Sequence, residues 1–440
     1  MLKDKKIFIL GMARSGYKVS KLLGNDNEIF ITDSKEQDEE KLNELNDLGI
    51  KFIKTDNPED LLDDSYDILI KNPAVFPNHK CVIKANELNI PVINEMEVAY
   101  HYIDKDVKII GVTGSNGKTT TVSLIYEVLK KAGVSVVLGG NIGIPLSKLV
   151  ASLKDNDILL LEISDHQLID FKDFKTDISI LTNICPTHLD YHGNYDNYKN
   201  VKKKIFNYHN SNNIAILNSN NIDSIELTKD INSTKLYFNN KENYYKDNII
   251  YIDNKEIINT NDILLKGIHN YENILSVLML LKVLNIDYKY LLEVLKKFKG
   301  VEHRIEFVKE VNKVKFYNDS KSTNPTSTIT ALKSFDKNIH LLLGGMDRSQ
   351  DFTDIKEYKD KIKCIYAFGE VRERIIEFCK EYNIKFIECE TILEIMNDIV
   401  NYISEEDIVL LSPGSASWDQ YKKFEDRGDE FKTLVNSIKI

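Results

Sequence analysis

Short apolar runs of strand-forming residues alternate with amphipathic helical stretches along this 440-residue chain. They fall into three sets, which begin at KKIFILG, VKIIGVTG and KVKFYND and end at YDILIKNP, DISILTN and DIVLLSPG. Strands that alternate with helices form βαβ units, whose strands lie parallel in one sheet. At about 150 residues per domain, the length allows about three domains. The pattern therefore predicts an α/β protein built from three such units.

The domain boundaries are predicted near residues 103 and 300. A Lys-containing helical stretch ends at Gly300, which is typical of a helix C-terminus. Between the second and third sets lies an Asn-rich stretch, residues 211–260, in which KLYF and NIIYI predict a small antiparallel flap. No low-complexity linker separates the units, so we expect adjacent domains that move around short hinges.

The composition excludes several classes of protein. The chain has 58 basic and 68 acidic residues, a net charge of −10, which argues against a protein that coats nucleic acid or an anionic membrane. Its five cysteines never form C-x-x-C, so reduced thiols in a cytosolic protein are expected. The apolar run at residues 7–10 is too short for a signal peptide, and no stretch approaches the ~18 apolar residues of a membrane span. We expect a cytoplasmic protein without membrane insertion.

The segment G-V-T-G-S-N-G-K-T-T, residues 111–120, lies between a strand and a helical stretch. Glycines in such a loop let backbone N–H groups close on phosphate oxygens, while a lysine reaches the β- and γ-phosphates and a hydroxyl holds Mg²⁺. Lys118 and Thr119 suit these last two roles. The strict G-x4-G-K-[ST] spacing is not met, because Val112 stands five residues before Gly117. A glycine-rich turn without ligand is the alternative, and the strand–loop–helix context favours a nucleotide.

Polar side chains follow two later strands of the second set. Glu162 comes after the run ILLL and is a candidate metal ligand or water-positioning group. His188, Asp190 and His192 cluster after the next strand. Ligands bind at the carboxyl edge of open α/β sheets, which favours a functional histidine over a polar loop. Three lysines at 202–204 are typical of a solvated helix face, and helical geometry lets at most one or two of them face a site.

These segments together resemble the Mur ligase family, the ATP-dependent enzymes that form amide bonds in peptidoglycan synthesis. The loop matches that family's variant of the Walker loop, and the motif order agrees over essentially the whole chain. The resemblance implies a Rossmann-like domain for a UDP-sugar (1–103), a central P-loop ATPase-type domain with a mixed sheet and helices (104–299), and a C-terminal Rossmann-like domain for the amino acid (300–440). It implies addition of D-glutamate to UDP-N-acetylmuramoyl-L-alanine through an acyl phosphate, with ATP and two Mg²⁺ ions.

The resemblance also implies roles in catalysis and nucleotide binding. Aligning the family's Y-x-x-x-K pattern on Tyr198 places a carbamylated, metal-bridging lysine at Lys202, and a carbamate is an oxygen donor of the kind that Mg²⁺ prefers. The implied catalytic residues are Lys118, His188 and Lys202. The implied metal ligands are Thr119, Glu162, His188 and carbamylated Lys202. The implied ATP-binding residues are Gly114, Ser115, Asn116, Gly117, Lys118, Thr119, Thr120, Asn270, Asn273, Arg304, Asp319 and Lys321.

The two other substrates are assigned to the terminal domains. The residues implied for D-glutamate are Thr323, Arg348, Ser417 and Phe424. Arg348 stands where some members have lysine and can hold a carboxylate bidentately, whereas Phe424 and Trp418 have the alternative of simple core residues. The segment GMARSG lacks the dinucleotide pattern G-x-G-x-x-G, so a diphosphate at the helix start is expected instead. The residues implied for the UDP-sugar are Arg14, Ser15, Asp33, Ser34, Lys35, Asn72, Asn141 and Ser164.

One segment departs from the family's pattern. After Glu162 the chain reads I-S-D-H-Q, where the family more often has S-S-F-Q, so Asp165 and His166 replace a small and an aromatic residue. Other functions stay open: a sibling Mur-type or folylpolyglutamate-type ligase that adds a different residue, a P-loop ATPase without ligase activity, or a non-catalytic nucleotide-sugar-binding regulator. The serine-rich segment 412–417 and the D-S-K stretch favour D-glutamate. We expect a monomer that binds no nucleic acid.

Overall fold

A computed structural model of the chain describes residues 2–24 and 26–438. Within these residues the strands form four sheets, of five, six, three and six strands. Strands and helices alternate as the sequence pattern indicates, and the predicted α/β fold class is confirmed. Over the same described ranges, no helix combines the length and apolar character that crossing a bilayer requires.

The N-terminal set of elements forms a parallel sheet. Its elements are β1 (Lys6–Leu10), α1 (Arg14–Leu23), β2 (Glu28–Asp33), α2 (Glu39–Asp47), β3 (Lys51–Lys54), β4 (Ile68–Lys71), α3 (Lys80–Glu87), β5 (Val92–Ile93) and α4 (Glu95–Tyr100). The strand order is β3-β2-β1-β4-β5. Alternate residues of β1 enter two different apolar cores, Ile7 and Ile9 on one face and Phe8 and Leu10 on the other. A parallel strand that is covered on both faces is apolar throughout, which explains the run IFIL.

A second sheet carries the phosphate-loop segment, and its strands all pair in parallel, so the expectation of a mixed sheet here is wrong. Its elements are β6 (Lys108–Thr113), α5 (Lys118–Lys131), β7 (Val136–Gly140), α6 (Leu146–Leu149), β8 (Ile158–Glu162), α7 (Asp165–Leu168), β9 (Ile178–Leu181), α8 (Leu189–His192), α9 (Tyr195–Lys203), β10 (Ile214–Asn218), α10 (Ile222–Leu227) and β11 (Thr234–Phe238). The strand order is β11-β10-β9-β6-β8-β7. The carboxyl ends of β6, β8 and β9 are therefore neighbours at one edge of the sheet.

The Asn-rich stretch differs in part from its prediction. It contains β12 (Tyr244–Lys246), β13 (Ile249–Ile252) and β14 (Lys255–Asn259), which form a three-stranded sheet in which β12 and β13 are antiparallel, as expected for NIIYI. The expectation that KLYF belongs to this flap is wrong, because β11 pairs parallel with β10. Helix α10 provides the crossover that a parallel connection needs. Two helices follow, α11 (Ile268–Val283) and α12 (Lys289–Leu295).

The C-terminal set forms a third large sheet. Its elements are β15 (Glu306–Val311), β16 (Val314–Asn318), α13 (Pro325–Lys333), β17 (Ile339–Gly344), β18 (Ile362–Phe368), α14 (Arg372–Tyr382), β19 (Phe386–Glu388), α15 (Ile392–Asp398), β20 (Ile408–Gly414) and α16 (Phe424–Ser437). The strand order is β15-β16-β20-β17-β18-β19, and the edge strand β15 is antiparallel to β16. Short 3₁₀ turns lie at Pro58–Leu61, Val150–Ser152, Lys204–Phe206, Thr260–Asp262, Thr353–Lys361 and Ile399–Asn401.

The chain divides into two compact units. The first comprises Met1–Ile257 and Glu272–Leu291, and the second comprises Ile258–Tyr271 and Leu292–Ile440. The first unit holds the N-terminal sheet and the sheet of the phosphate loop, and the second holds the C-terminal sheet. A three-domain division with boundaries near 103 and 300 stays a prediction.

Candidate active site

The loop between β6 and α5 has the backbone that a phosphate site needs. Gly114 and Gly117 have φ angles of +146° and +83°, which residues with a Cβ rarely adopt. A Cβ at Gly114 would lie 2.0 Å from Thr182 Oγ1, and one at Gly117 would lie 2.3 Å from Asn273 Oδ1. Lys118 folds back over the loop and donates from Nζ to the carbonyl oxygens of Gly114 (2.7 Å) and Ser115 (2.9 Å). Helix α5 begins here, so its first N–H groups and positive dipole end face the loop.

The segment after β9 holds the loop in place. Ser115 N donates to Asn183 O (2.9 Å) and Asn116 N donates to Asn183 Oδ1 (3.0 Å). Thr182 Oγ1 donates to Asn116 O (2.6 Å), and the Ser115 and Tyr198 hydroxyls are 2.7 Å apart. Sequence reasoning missed Asn183, although an Asn directly after a strand that neighbours the loop is a usable signal. The loop is therefore braced through its backbone before any nucleotide binds.

Glu162 and Lys202 are both buried near this loop. Glu162 ends β8, is 1% exposed and accepts from Asn141 Nδ2 on Oε1 (2.7 Å). Its Oε2 is buried and has no hydrogen-bond partner in the part of the chain that the structure describes. Lys202, on α9, is fully buried and donates from Nζ to Thr113 Oγ1 (3.2 Å). Burial, together with the charge of Lys118, lowers the pKa of Lys202 to about 7.

These residues fit a magnesium ion. A buried carboxylate oxygen without a donor is costly unless a cation compensates it, and Mg²⁺ prefers oxygen ligands. Glu162 Oε2 is such an oxygen, and the nearly buried Thr119 in the first turn of α5 carries a hydroxyl of the kind that phosphate loops use for the same ion. The donor set therefore suits a nucleotide-bound magnesium.

Three histidines surround Asp165 at the start of α7. Asp165 Oδ2 accepts from His188 Nδ1 (2.9 Å) and His192 Nε2 (2.8 Å), and His166 Nδ1 is 3.4 Å away. Burial alone would raise the pKa of Asp165, but the hydrogen bonds from His188 and His192 and the charge of Lys202 hold that pKa well below its usual range. Asp190, expected in this cluster, is exposed and lies outside it. The residues that depart from the family's pattern are thus in contact with His188.

A cavity of about 350 Å³ in the first unit contains five of the eight residues predicted for the UDP-sugar. These are Arg14, Ser15, Asn72, Asn141 and Ser164. The cavity is also lined by Glu95, His166 and Gln167, which sequence reasoning did not assign to it. Asp33, Ser34 and Lys35 are not among its lining residues; Asp33 instead accepts from the backbone N of Met12 (2.8 Å) and of Lys35 (3.0 Å). Asp33 thereby fixes the turn that presents Arg14 and Ser15.

The nucleotide residues predicted beyond the phosphate loop lie mainly in the second unit. Asp319 directly follows β16 and accepts from Ser412 Oγ (2.7 Å) and the backbone N of Ile305 (3.2 Å). Burial raises the pKa of Asp319 to about 6, although Ser322, Ser412 and Arg304 act in the opposite direction. Lys321 donates its backbone N to His303 O (3.0 Å). Asn270 donates from Nδ2 to Lys266 O (2.7 Å). Asn273, farther along α11, belongs to the first unit, and its Oδ1 lies next to Gly117 of that same unit.

Among the residues assigned to D-glutamate, Arg348 belongs to an exposed cation–π pair. The Arg348 guanidinium lies over the ring of Trp418 at 5.6 Å, and Trp418 is 63% exposed, so the alternative that Trp418 is a core residue is wrong. Ser417 is buried and Thr323 is exposed. Phe424 begins α16, half-buried, with its ring 6.0 Å from that of His303.

Arg427 links the segments around Ser320 and Ser415, and no role was assigned to it from the sequence. Its side chain is fully buried and donates to Ser320 Oγ (3.0 Å), Ser320 O (2.9 Å) and Ser415 O (3.1 Å). Burial lowers the pKa of Arg427 to about 10, and the charge of Asp419 opposes that shift. The buried guanidinium therefore ties residue 320 to residue 415, which are far apart in the sequence.

Two family models and many known proteins match this chain. A model of the Mur ligase middle domain matches residues 112–281, and one of the Mur ligase glutamate ligase domain matches residues 303–414. The UDP-N-acetylmuramoylalanine--D-glutamate ligase of Macrococcus caseolyticus is 36% identical over 99% of this chain and 98% of its own length. The enzyme of the same name from Streptococcus pneumoniae is also 36% identical, again over 99% of this chain and 98% of its own.

The chain belongs to the Mur ligase family. It is an ATP-dependent ligase of peptidoglycan synthesis, and it uses ATP with Mg²⁺.

Solved structures show the same fold for this Mur ligase. The UDP-N-acetylmuramate-alanine ligase of Thermotoga maritima aligns with a TM-score of 0.59 at 20% identity, over 99% of this chain and 100% of that one. MurF from Acinetobacter baumannii aligns with a TM-score of 0.60 at 14% identity, over 98% of this chain and 91% of that one. The fold of this chain is therefore shared with both of these structures.

Proposed function

We propose that this Mur ligase joins D-glutamate to UDP-N-acetylmuramoyl-L-alanine at the expense of ATP. The observation that carries the proposal is the similarity, over nearly the whole length of both chains, to relatives with that name. We further propose that it works in the cytoplasm as a monomer of three domains, one for each substrate in chain order.

The first step is phosphoryl transfer. The alanyl carboxylate attacks the γ-phosphorus of ATP, the bond from that phosphorus to the β-phosphate oxygen breaks, and an acyl phosphate and ADP result. Such steps depend mainly on positioning and on stabilisation of charge. The N–H groups of the loop and the Lys118 ammonium, which already lies over that loop, would compensate charge on the γ-phosphate.

The second step forms the amide bond. The uncharged amine of D-glutamate attacks the carbonyl carbon of the acyl phosphate, inorganic phosphate leaves, and the amine gives up a proton. The acyl phosphate is prone to hydrolysis, so the site must exclude water while it exists. Because D-glutamate carries two carboxylates, its binding calls for a cation and hydroxyls, which Arg348, Thr323 and Ser417 supply from three segments of the second unit. Phe424 contributes the apolar contact.

The magnesium sites are proposed at the edge where β6 and β8 end. Thr119, Glu162, His188 and a carbamylated Lys202 would hold two ions, which supply positive charge between the phosphates and the substrate carboxylate. Carbamylation adds CO₂ to the neutral Lys202 amine and releases one proton, or two protons counted from the ammonium form, so that a cationic side chain becomes an anionic carbamate. The orphaned Glu162 Oε2 and the buried position of Lys202 beside Thr113 support this arrangement.

The test measures phosphate release from ATP in the presence of UDP-N-acetylmuramoyl-L-alanine and a panel of amino acids, with product masses determined in parallel. We expect release that depends on D-glutamate, and a product heavier by one glutamyl residue. A Lys118→Ala variant should lose this activity, whereas Lys105→Ala, a change at an exposed lysine, should retain it. Release with an L-amino acid and none with D-glutamate would point to a sibling ligase, and release without any amino acid to an ATPase.

A further inference from the structure

The cluster around Asp165 contains ligand atoms that the proposed ligase reaction does not use. The carboxylate of Asp165 and the ring nitrogens of His166 and His188 lie within 4.8 Å of one another. Neither Asp165 nor His166 is a proposed magnesium ligand, and His166, although it lines the cavity of the first unit, has no assigned contact with the UDP-sugar. Their chemistry differs from that of a magnesium site, because two of the three donors are imidazoles.

We propose that Asp165, His166 and His188 form a binding site for Zn²⁺. Zinc takes imidazole and carboxylate ligands, and two histidines with one carboxylate are a known donor set for zinc with an open fourth position. Metal–ligand distances of about 2.0–2.2 Å in a tetrahedron separate neighbouring donor atoms by about 3.3–3.6 Å. Asp165 Oδ2 lies 3.4 Å from His166 Nδ1, which is within that range, and 2.9 Å from His188 Nδ1, so the His188 ring has to move away by about half an ångström when an ion binds.

The surroundings hold the carboxylate and leave the imidazoles accessible. His192 Nε2 donates to Asp165 Oδ2 (2.8 Å), and Lys202 Nζ lies 3.4 Å from Oδ1. Each oxygen of the Asp165 carboxylate therefore has a partner that fixes its orientation. Partners of this kind fix the geometry of a metal ligand. The side chains of His166 and His188 are 26% and 47% exposed, so an ion can reach them without unfolding.

A comparable cluster in the same unit lacks these properties. Glu97, His101 and Asp173 also group their ligand atoms, but the buried Glu97 carboxylate already accepts from the backbone N of Lys172 (3.0 Å), Asp173 (2.8 Å) and Phe174 (3.2 Å). Three backbone N–H groups thus hold the Glu97 carboxylate in a chain reversal, whereas the groups that bond Asp165 are side chains, one of them the proposed ligand His188. His101 therefore provides a matched control for His166.

Zinc at this site would oppose the ligase reaction. A neutral imidazole has a single lone-pair nitrogen, so a His188 ring that binds zinc through Nδ1 keeps its proton on Nε2 and cannot also bind magnesium. This consequence rests on the proposed function, whereas zinc binding itself does not. We expect zinc to inhibit and excess Mg²⁺ to relieve the inhibition.

The binding test uses the full chain without an affinity tag, stripped of metal and free of nucleotide. Titration with Co²⁺ as a spectroscopic substitute should give one bound ion per chain with the intense visible bands of a four- or five-coordinate site, and Zn²⁺ should displace it. His166→Gln and His166→Phe should each weaken Co²⁺ binding by at least about tenfold, while His101→Gln should bind like the unchanged chain. Circular dichroism of each variant verifies folding.

The site would be excluded if both His166 variants bound Co²⁺ with the affinity and band intensity of the unchanged chain. Weak bands typical of octahedral Co²⁺ in the unchanged chain would exclude it as well. In a second arm, ligase rates are normalised to the zinc-free rate of the same protein. The zinc concentration for half inhibition should rise at least about tenfold in His166→Gln. Zinc binding without ligase activity would leave the site intact and contradict only the proposed function.

Discussion

Lys202 and Asp319 are two separate buried side chains, and burial shifts the pKa of each toward neutral pH. Burial disfavours the charged form of either group, so the pKa of Lys202 falls to about 7 and that of Asp319 rises to about 6. A hydrophobic residue in place of Lys202 would lose the hydrogen bond to Thr113 Oγ1, and one in place of Asp319 would lose the hydrogen bond from Ser412 Oγ. Buried ionisable groups of this kind are typical of functional sites.

Asp319→Asn is expected to stabilise the second unit at high pH. The folded-state pKa of about 6 lies above the ordinary 3.8, so the native state binds the proton more tightly. The stability contributed by this group is therefore present below about pH 4 and is lost as the pH rises toward 6 and beyond. Urea denaturation at pH 8 should show Asp319→Asn more stable by on the order of 1–3 kcal/mol, with a much smaller difference at pH 4. An equal difference at both pH values would contradict this.

Lys202→Ala is expected to reduce D-glutamate-dependent phosphate release at least about a hundredfold. The variant lacks the proposed carbamate ligand of the magnesium ions, whose positive charge stabilises the transition state. The neighbour Lys203 pairs with Asp230 at 2.6 Å near the surface, so Lys203→Ala should retain most of the activity. Protein prepared with ¹³C-bicarbonate should show a carbamate resonance that is absent from Lys202→Ala. Full activity of Lys202→Ala would exclude a catalytic carbamate.

Two glycines flank helix α5, Gly114 in the phosphate loop before it and Gly133 in the turn after it, and they show how close packing constrains a turn. Gly114 and Gly133 both have positive φ angles, +146° and +75°. They differ in their surroundings, because a Cβ at Gly114 would lie 2.0 Å from Thr182 Oγ1, whereas a Cβ at Gly133 would meet nothing within 4 Å. An alanine at Gly133 would therefore cause backbone strain alone, whereas an alanine at Gly114 would cause the same strain and also a steric clash that displaces the loop.

Gly114→Ala should weaken ATP binding by at least about tenfold, because the loop must move away from Thr182 and its N–H groups lose their alignment. Gly133→Ala should cost on the order of 1–2 kcal/mol of stability and leave ATP binding unchanged. Calorimetric titration with a non-hydrolysable ATP analogue and thermal denaturation would distinguish the two effects. Equal affinities in the two variants would show that the loop tolerates a side chain at position 114.

Across the molecule, the two sheets of the first unit are joined by a buried ion pair. Lys71, at the end of β4, lies 2.9 Å from Asp170 Oδ2, and their side chains are 1% and 9% exposed. Tyr191 OH donates to the carbonyl oxygens of Pro73 and Val75 (3.0 Å each), which adds hydrogen bonds at the same place. The segment that carries Asn72 is thereby held against the central sheet.

Lys71→Met should destabilise the first unit by about 3–5 kcal/mol, because it leaves the buried Asp170 carboxylate without its cation. The double variant Lys71→Met, Asp170→Leu should regain much of that loss. Lys5→Met, which breaks an exposed pair with Asp67, should cost less than about 1 kcal/mol and serves as the control. Chemical denaturation measures all three, and a double variant no more stable than Lys71→Met would contradict the account.

Part of the candidate site was predictable because it is local. Lys118 and Thr119 follow a glycine loop between a strand and a helix, and that signal lies within ten residues. Asp165 was noticed only as a departure from a pattern, and Arg427 was not assigned at all. The partners of both residues lie far away in the sequence, at His188 and His192 for Asp165 and at Ser320 and Ser415 for Arg427.

The α/β class, the succession of strands along the chain and the position of the phosphate loop can all be read from local sequence, because hydrophobic period and glycine spacing act over a few residues. Three features depend on the folded chain: β11 joins the central sheet in parallel, His166, His188 and His192 meet at one carboxylate, and Arg427 joins two distant loops. Strand order in space and the burial of charge depend on packing between segments far apart in the chain. A local pattern does not encode such packing.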